Sequence, residues 1–470
     1  MRRRPGLPAP PRPAEVAALS LILTLVALAA GRDLGTPSAE FDEGVYLASA
    51  DALDRGAELG TDVFASQPPL FFVGLRWAAA VTGGDPALMR AGVLLLALGG
   101  VVAGALVVRR LAGPAAGCLA ALLVGLSPAV VDRAAVVSAD VPSLALGLMA
   151  LAAAGAAARR PGWAAVAGGL VVAAVLVKLL AAPFVIAVLA GAWRGRARRS
   201  EWILGCCGGL LVAAAVLAPL AGRWGALWHG SVGIRGAARG VALGDSGLDV
   251  RFVLGFVGLA IALAAGVALA RPRSWREWLD ERAALVALLA GGVALLAVQR
   301  PLFLHHWALL SVPMAVLAAS AAPSWTPGPR QATAAVAAGV AVLLLLPGAV
   351  RGRNPQSPRE RARVALIAAA VRGASAPADA VVSDLPLVPL AAGREAIPDT
   401  IDASLVRVGS GALDEAAVLR AARSAEVVVV GRAFATMPDL GSRLAVRFPR
   451  AVRVGGATVW LHGSPSAPIR

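Results

Sequence analysis

The strongest constraint on this chain is a repeated alternation. Apolar runs of about twenty residues are cut by short turns rich in arginine. Runs such as 14–31, 87–108 and 141–158 hold Ala, Val, Leu and Gly and almost no charge, and that length suits a helix crossing a bilayer. Hydrophobic residues make up 58% of the chain and mean hydropathy is +0.74, where soluble domains sit nearer about 45–50% apolar. The chain therefore reads as a polytopic α-helical membrane protein with about eleven transmembrane helices. The expected spans are 14–31, 87–108, 114–131, 141–158, two short helices sharing 163–193, then 202–220, 252–270, 283–298, 304–322 and 332–350. The 163–193 run is too long for one span and breaks around Lys178 and Pro183.

The net charge of +16 would suit nucleic acid if it gathered on one face. It does not. Arg109-Arg110, Arg159-Arg160, the arginines of 194–199 and Arg271 with Arg273 stand in alternate turns. These turns mark the cytoplasmic side by the positive-inside rule, and Arg2 to Arg4 put the N-terminus there too. No nucleic-acid partner is expected, and the first run reads as an uncleaved helix. One lysine among many arginines, with abundant Ala and Gly, looks like a GC-rich bacterial genome. The expected place is thus the bacterial cytoplasmic membrane, multi-pass, with the C-terminus outside.

Residues 351–470 change character. Valine-rich runs at 380–383 and 426–430 and an end strand at 457–461 alternate with helical patterns. They predict a small extracytoplasmic α/β domain after a transmembrane domain of residues 1–350. It has no Gly-rich phosphate loop and no nucleophile elbow. Cys118, Cys206 and Cys207 fall in apolar runs without metal-ligand spacing, so they read as small buried hydrophobes.

Polar chemistry concentrates at the outer face. The first outer loop, 32–68, is acidic in a basic protein. It carries Asp42-Glu43 beside the sole tyrosine, Tyr46, and ends at Gln67-Pro68-Pro69. Val45, Leu47, Ala48, Ala52 and Leu53 suggest a short amphipathic helix at the membrane surface, and 69–82 a re-entrant or interfacial helix. Asp140 opens a span, His305 and His306 open another, and Lys178 lies just inside the bilayer. Charges at such a boundary are costly and ask for a reason. Simpler roles remain open: helix capping for Asp42, Glu43 and Asp140, snorkelling for Lys178 and the histidines, and interfacial anchoring for Tyr46. Gln67 could orient a ligand or pack the loop.

Several stretches in this order carry a resemblance: Asp42-Glu43-Gly44-Val45-Tyr46, Gln67-Pro68-Pro69-Leu70, Ser127-Pro128, Ser138-Ala139-Asp140-Val141-Pro142, the lysine at a helix break, and Asp384-Leu385-Pro386 with Gly393-Arg394 and Pro398. Together they resemble the GT-C superfamily of membrane glycosyltransferases. The nearest branch is the bacterial, family 39-like one similar to protein O-mannosyltransferases and the lipid A aminoarabinose transferase. The resemblance implies an active site at the outer membrane face and transfer of a sugar from a polyprenyl-phosphate donor to an acceptor hydroxyl, with inversion. It implies Asp42 as base, assisted by Glu43. Asp140, Tyr46 and Gln67 would hold the acceptor, and Lys178 with His305 or His306 would meet the donor phosphate. The one cofactor the resemblance leaves open is a divalent cation, which would fall to Asp42, Glu43 and Asp140. The acceptor could be protein, lipid or glycan. The chain departs from the branch in having Gln67 where a lysine precedes the paired prolines, and His305-His306-Trp307 where Arg-Tyr is frequent. A transporter or flippase of a lipid-linked sugar is the alternative. Polar residues gathered at one face, with no internal repeat, argue against it.

Overall fold

Proline sets the starts of the helices. Pro13–Gly31, Pro69–Thr82, Pro86–Ala112, Pro114–Gly125 and Pro128–Arg133 all open on proline, whose fixed φ and missing N–H suit a first helical position. The structure, a computed structural model, describes residues 12–238, 250–270, 274–299, 302–321, 329–351 and 358–462. Among these, five helices are long and apolar enough to cross a bilayer: Pro13–Gly31, Pro86–Ala112, Asp140–Ala157, the Arg199–Ala237 run and Val253–Ala270. A pair bent by 78°, Trp275–Glu281 with Ala283–Val298, could form a sixth span. The other expected spans fall on shorter apolar helices, among them Gly162–Val177 and Leu179–Arg194, which are separated at Lys178 as the sequence suggested.

The chain divides into two compact units. The first takes its described residues from within Met1–Leu34, Arg90–Ala215 and Ser246–Arg353. Its helices share a core that includes Val101, Leu123, Leu148, Phe184 and Leu285. Outward lie Leu25, Leu95, Leu210 and Leu211, the last 72% exposed. Apolar side chains turned outward and packed inward alike are what a lipid solvent allows. Glycines let the Gly162–Val177 and Arg199–Leu217 helices touch backbone to backbone, Gly168 against Gly205 and Gly208 against Ala165, the small-residue contact favoured in lipid. Glu15 pairs with Arg109. The start of the first helix thus meets the end of Pro86–Ala112, two ends the charge pattern assigns to one side.

The second unit draws its described residues from within Gly35–Met89, Val216–Asp245 and Asn354–Arg470. Its sheet has strands β1 (Ala380–Ser383), β2 (Glu395–Ala396), β3 (Val427–Val430), β4 (Arg450–Val454) and β5 (Ala457–Leu461) in the order β2-β1-β3-β5-β4. The β1 strand runs parallel to β2 and β3, while β5 is antiparallel to β3 and β4. Val381, Val382, Val427 and Val428 are buried. Central strands covered on both faces are written as continuous valine runs. The β4–β5 hairpin turns on Gly455-Gly456, both at positive φ, as a tight two-residue turn requires.

The buried carboxylate of Asp384 ties the ends of β1 and β3 together. It accepts from the Gly431 N–H (2.6 Å) and the Phe434 N–H (2.8 Å). Burial pushes its carboxyl up to about 6, and those amide bonds pull the other way. The folded value lies above the unfolded one, so the fold holds the proton more tightly between about pH 4 and 6. Stability from this group therefore falls as pH rises through that window, by about 3 kcal/mol. Asp384→Asn is expected to flatten that slope. Hydrogen exchange of the 427–434 segment between pH 5 and pH 7 checks it.

Two readings change here. The Phe41–Asp54 helix is not a half-wet surface helix: Glu43 to Ala50, Ala52 and Leu53 are all buried. It is enclosed by the Pro69–Thr82 helix and by Leu387–Ala392. Cys206 and Cys207 are exposed and Cys118 is half-buried, because an apolar run in a membrane protein needs no burial to avoid water. The Pro69–Thr82 helix has one buried face with Phe71, Phe72 and Leu75, and an outward face with Val73, Trp77 and Val81. It ends on Gly83 in the left-handed region, which glycine adopts freely.

Candidate functional site

In the second unit, the first turn of Phe41–Asp54 presents Asp42 and Glu43. Acidic side chains suit that turn, where free backbone N–H groups carry partial positive charge. Asp42 is half-buried, while Glu43 is 0% exposed. Tyr46, one turn further, is buried edge-on against Phe71, with ring centroids 4.7 Å apart. That makes it an interior aromatic and not an interfacial anchor. Gln67 Nε2 donates to Tyr46 Oη at 3.0 Å. Gln67 Oε1 is buried with no hydrogen-bond partner among the described residues. A buried amide with one end unmet is costly unless something else supplies the bond.

A third segment closes on this pair. A π-turn over His229–Gly233, a rare form found often at functional sites, places Ser231 so that its hydroxyl donates to the carbonyls of Ala65 (3.2 Å) and Gln67 (3.0 Å). Arg235 follows one turn later. Its Nε donates to the Ser231 carbonyl at 2.9 Å, and it lies within electrostatic reach of Tyr46.

In the helical unit, Asp140 opens its helix and Lys178 stands at the break after Gly162–Val177, in extended backbone. Leaving the helix there lets Lys178 reach across. Nζ donates to Asp140 Oδ1 at 2.5 Å, with Lys178 3% and Asp140 7% exposed. The two packed helices bring the pair together, so neither charge is buried alone. Nearby in sequence, Ser138 Oγ is buried with no partner among the described residues. His306 is buried, and its Nδ1 accepts from the Phe303 N–H at 3.3 Å, which caps the Leu304–Ala321 helix from within. It does not snorkel. The backbone of His305 is in the first turn of the same helix; its side chain lies outside the described residues.

The structure therefore joins Tyr46 to Gln67 and Asp140 to Lys178. Two cations were passed over in the sequence. Arg90 is buried in the Pro86–Ala112 helix and donates to the Leu34 carbonyl at 2.7 Å. It is as anomalous in an apolar run as Lys178, and that was the available signal. Arg235 sits among other arginines of a loop, and nothing in the local sequence singles it out. Among the described residues no group of three or more His, Cys, Asp or Glu side chains could hold a metal ion.

No protein-family model and no curated protein matches this chain. Solved structures do match it in three dimensions. ArnT from Cupriavidus metallidurans in the apo state superposes with a TM-score of 0.66 at 13% identity, over 95% of this chain and 97% of that one. The same protein bound to undecaprenyl phosphate gives 0.64 at 14% identity, over 97% and 99%. The chain shares the fold of these ArnT structures from end to end. An oligosaccharyltransferase from Archaeoglobus fulgidus gives 0.53 at 13% identity over 89% of this chain and 69% of that chain, so the fold is also shared with a longer chain.

Proposed function

We propose that this chain is a membrane glycosyltransferase. It moves a sugar from a polyprenyl-phosphate donor to an acceptor hydroxyl on the outer face of a bacterial cytoplasmic membrane, with inversion at the anomeric carbon. The observation that carries the reading is the end-to-end likeness in fold to ArnT, a lipid A aminoarabinose transferase, which has been seen bound to undecaprenyl phosphate. The presence of a carboxylate turn, a tyrosine–amide pair and an arginine in one unit supports it.

In this mechanism Asp42 accepts the acceptor's hydroxyl proton. The oxygen attacks the anomeric carbon from the side opposite the phosphate. The carbon–oxygen bond to phosphate breaks, and its electron pair leaves with the phosphate oxygen. Cations that meet the phosphate make protonation of the leaving group unnecessary, so one base suffices where a glycosidase uses two carboxylates. Glu43 supports Asp42 from its buried position. Gln67 Oε1 and Tyr46 offer hydrogen bonds to the acceptor, as does Asp140. The ammonium of Lys178 has two donors beyond the one given to Asp140, and they serve the phosphate with His305 or His306. We add Arg235, which lies within electrostatic reach of Tyr46, as a further cation for the phosphate.

The test is consumption of radiolabelled polyprenyl-phosphate sugars by membranes containing the protein. Label should pass to an acceptor with release of polyprenyl phosphate. If every donor is left intact while lipid-linked sugar crosses vesicles carrying the protein, the transporter alternative takes its place. Arg235→Gln is expected to raise the KM for donor about 10-fold, through loss of a charge-assisted bond, and to leave kcat within about 3-fold. Initial rates over a donor series check this.

A further inference from the structure

The first turn of the Phe41–Asp54 helix is seated by residues far along the chain. Gly44 directly follows Glu43. A Cβ on Gly44 would stand 2.7 Å from Leu387 Cγ, 3.0 Å from Pro386 Cγ and 3.1 Å from the Leu387 nitrogen. The Leu387 side chain can turn aside, but its nitrogen is backbone. Glycine is what lets the two chains approach this closely.

The seat itself is fixed. Pro386 and Leu387 lie two and three residues after Asp384, whose carboxylate is held by the Gly431 and Phe434 amides beyond β3. Between them the Leu385 N–H donates to Ser383 Oγ at 3.0 Å. The chain leaving β1 therefore has little freedom before it meets Gly44.

A second fastening stands at the other end of the outer loop. The Arg407 guanidinium lies over the Phe64 ring, 4.3 Å from its centroid. Arg407 is itself buried and is oriented by the Asp399 carboxylate (2.8 Å) and the Asp402 carbonyl (3.3 Å). Phe64 comes three residues before Gln67. The segment between β1 and β3 thus grips the loop where it carries the carboxylates and again where it carries the amide.

We infer that the C-terminal sheet positions the sugar-transfer residues, through the Gly44–Leu387 contact at Asp42 and Glu43 and the Arg407–Phe64 stack near Gln67. This rests on Asp42 being the base. The four contact residues act through others and touch no substrate. A base shifted by about 1 Å from a productive geometry loses about 100-fold in rate, so a seat of this kind acts on kcat more than on donor affinity.

The experiment uses the full-length protein in detergent, as wild type, Gly44→Ala, Leu387→Ala and the double variant. Gly44→Ala is expected to lower kcat about 100-fold with donor KM little changed. It should also speed hydrogen exchange in residues 40–48 while 427–434 stays protected. The double variant removes the approach to Leu387 Cγ but keeps those to Pro386 Cγ and the Leu387 nitrogen, so it is expected to recover only part of both. Leu387→Ala only removes bulk, so it keeps the fold; faster exchange at 40–48 with a lowered kcat is expected. Exchange at 40–48 equal to wild type in both single variants overturns the inference, as does unchanged kcat with exchange accelerated. If the wild type transfers no sugar, the reading of Asp42 falls and the positioning role falls with it; the exchange data then tell whether the seat itself exists. If Asp42→Asn abolishes transfer while the seat variants behave as wild type, the base stands and this inference alone is lost.

Discussion

Replacing Asp42 with asparagine is expected to reduce sugar transfer about 1,000-fold, the usual worth of a well-placed general base, or about 4 kcal/mol of barrier. The substitution keeps the shape of the side chain and removes only its capacity to take a proton. Donor KM should stay near that of wild type, since the proposed phosphate contacts fall to other residues. Asp42 is the better candidate of the acidic pair because it keeps some exposure, whereas Glu43 has none. A proton acceptor must be reached by the acceptor hydroxyl, and a side chain enclosed on all sides is not. The measurement is the single-turnover rate with a saturating radiolabelled donor. Equal rates in wild type and Asp42→Asn would move the base to Glu43 or Asp140, and Glu43→Gln with Asp140→Asn would be measured next.

Lys178→Met is the second large effect. It leaves the Asp140 carboxylate buried without its 2.5 Å partner. Removing one member of a buried ion pair costs about 3–5 kcal/mol, a large share of what holds a folded protein together. We expect a fall in detergent-resistant folded protein and a Tm lower by several degrees. The Asp140→Asn, Lys178→Met double variant removes both charges and is expected to recover most of that stability. A double-mutant cycle on Tm measures the coupling. Transfer in the double variant then separates two roles. A folded but inactive protein ties the pair to chemistry, and a folded, active one makes it structural.

The helix break at Lys178 was legible because a cation inside an apolar run, followed by Pro183, contradicts an unbroken helix. The strands β1, β3 and β5 were legible because buried parallel strands are written as unbroken valine runs. The seat of the Phe41–Asp54 helix was not legible. Its apolar positions, Val45, Leu47, Ala48, Ala52 and Leu53, alternate with Asp51 and Asp54, which is what a surface helix also looks like. What encloses it includes Pro386 and Leu387, and no local period reports a neighbour so far along the chain. The cysteines misled for a different reason. Apolar character implies burial only where the solvent is water, and Cys206 and Cys207 stand on a helix whose outward face is apolar. The pairing of Tyr46 with Gln67 was half visible: both residues were marked, but the hydrogen bond between them and the unmet Gln67 Oε1 needed three dimensions.

The interleaving of the second unit has a consequence for how the protein is made. Leu387 follows Gly44 by 343 residues. At about 5–20 residues per second, the ribosome delivers the seat roughly 17–70 s after the helix that needs it. During that time Val45, Leu47 and Leu53, buried in the finished protein, have no C-terminal sheet to cover that side. A chain stopped before Asp384 would leave the carboxylate turn unsupported however well its membrane helices had inserted. On the positioning proposed above, the carboxylate turn gains its seat only after the segment around Leu387 has been made.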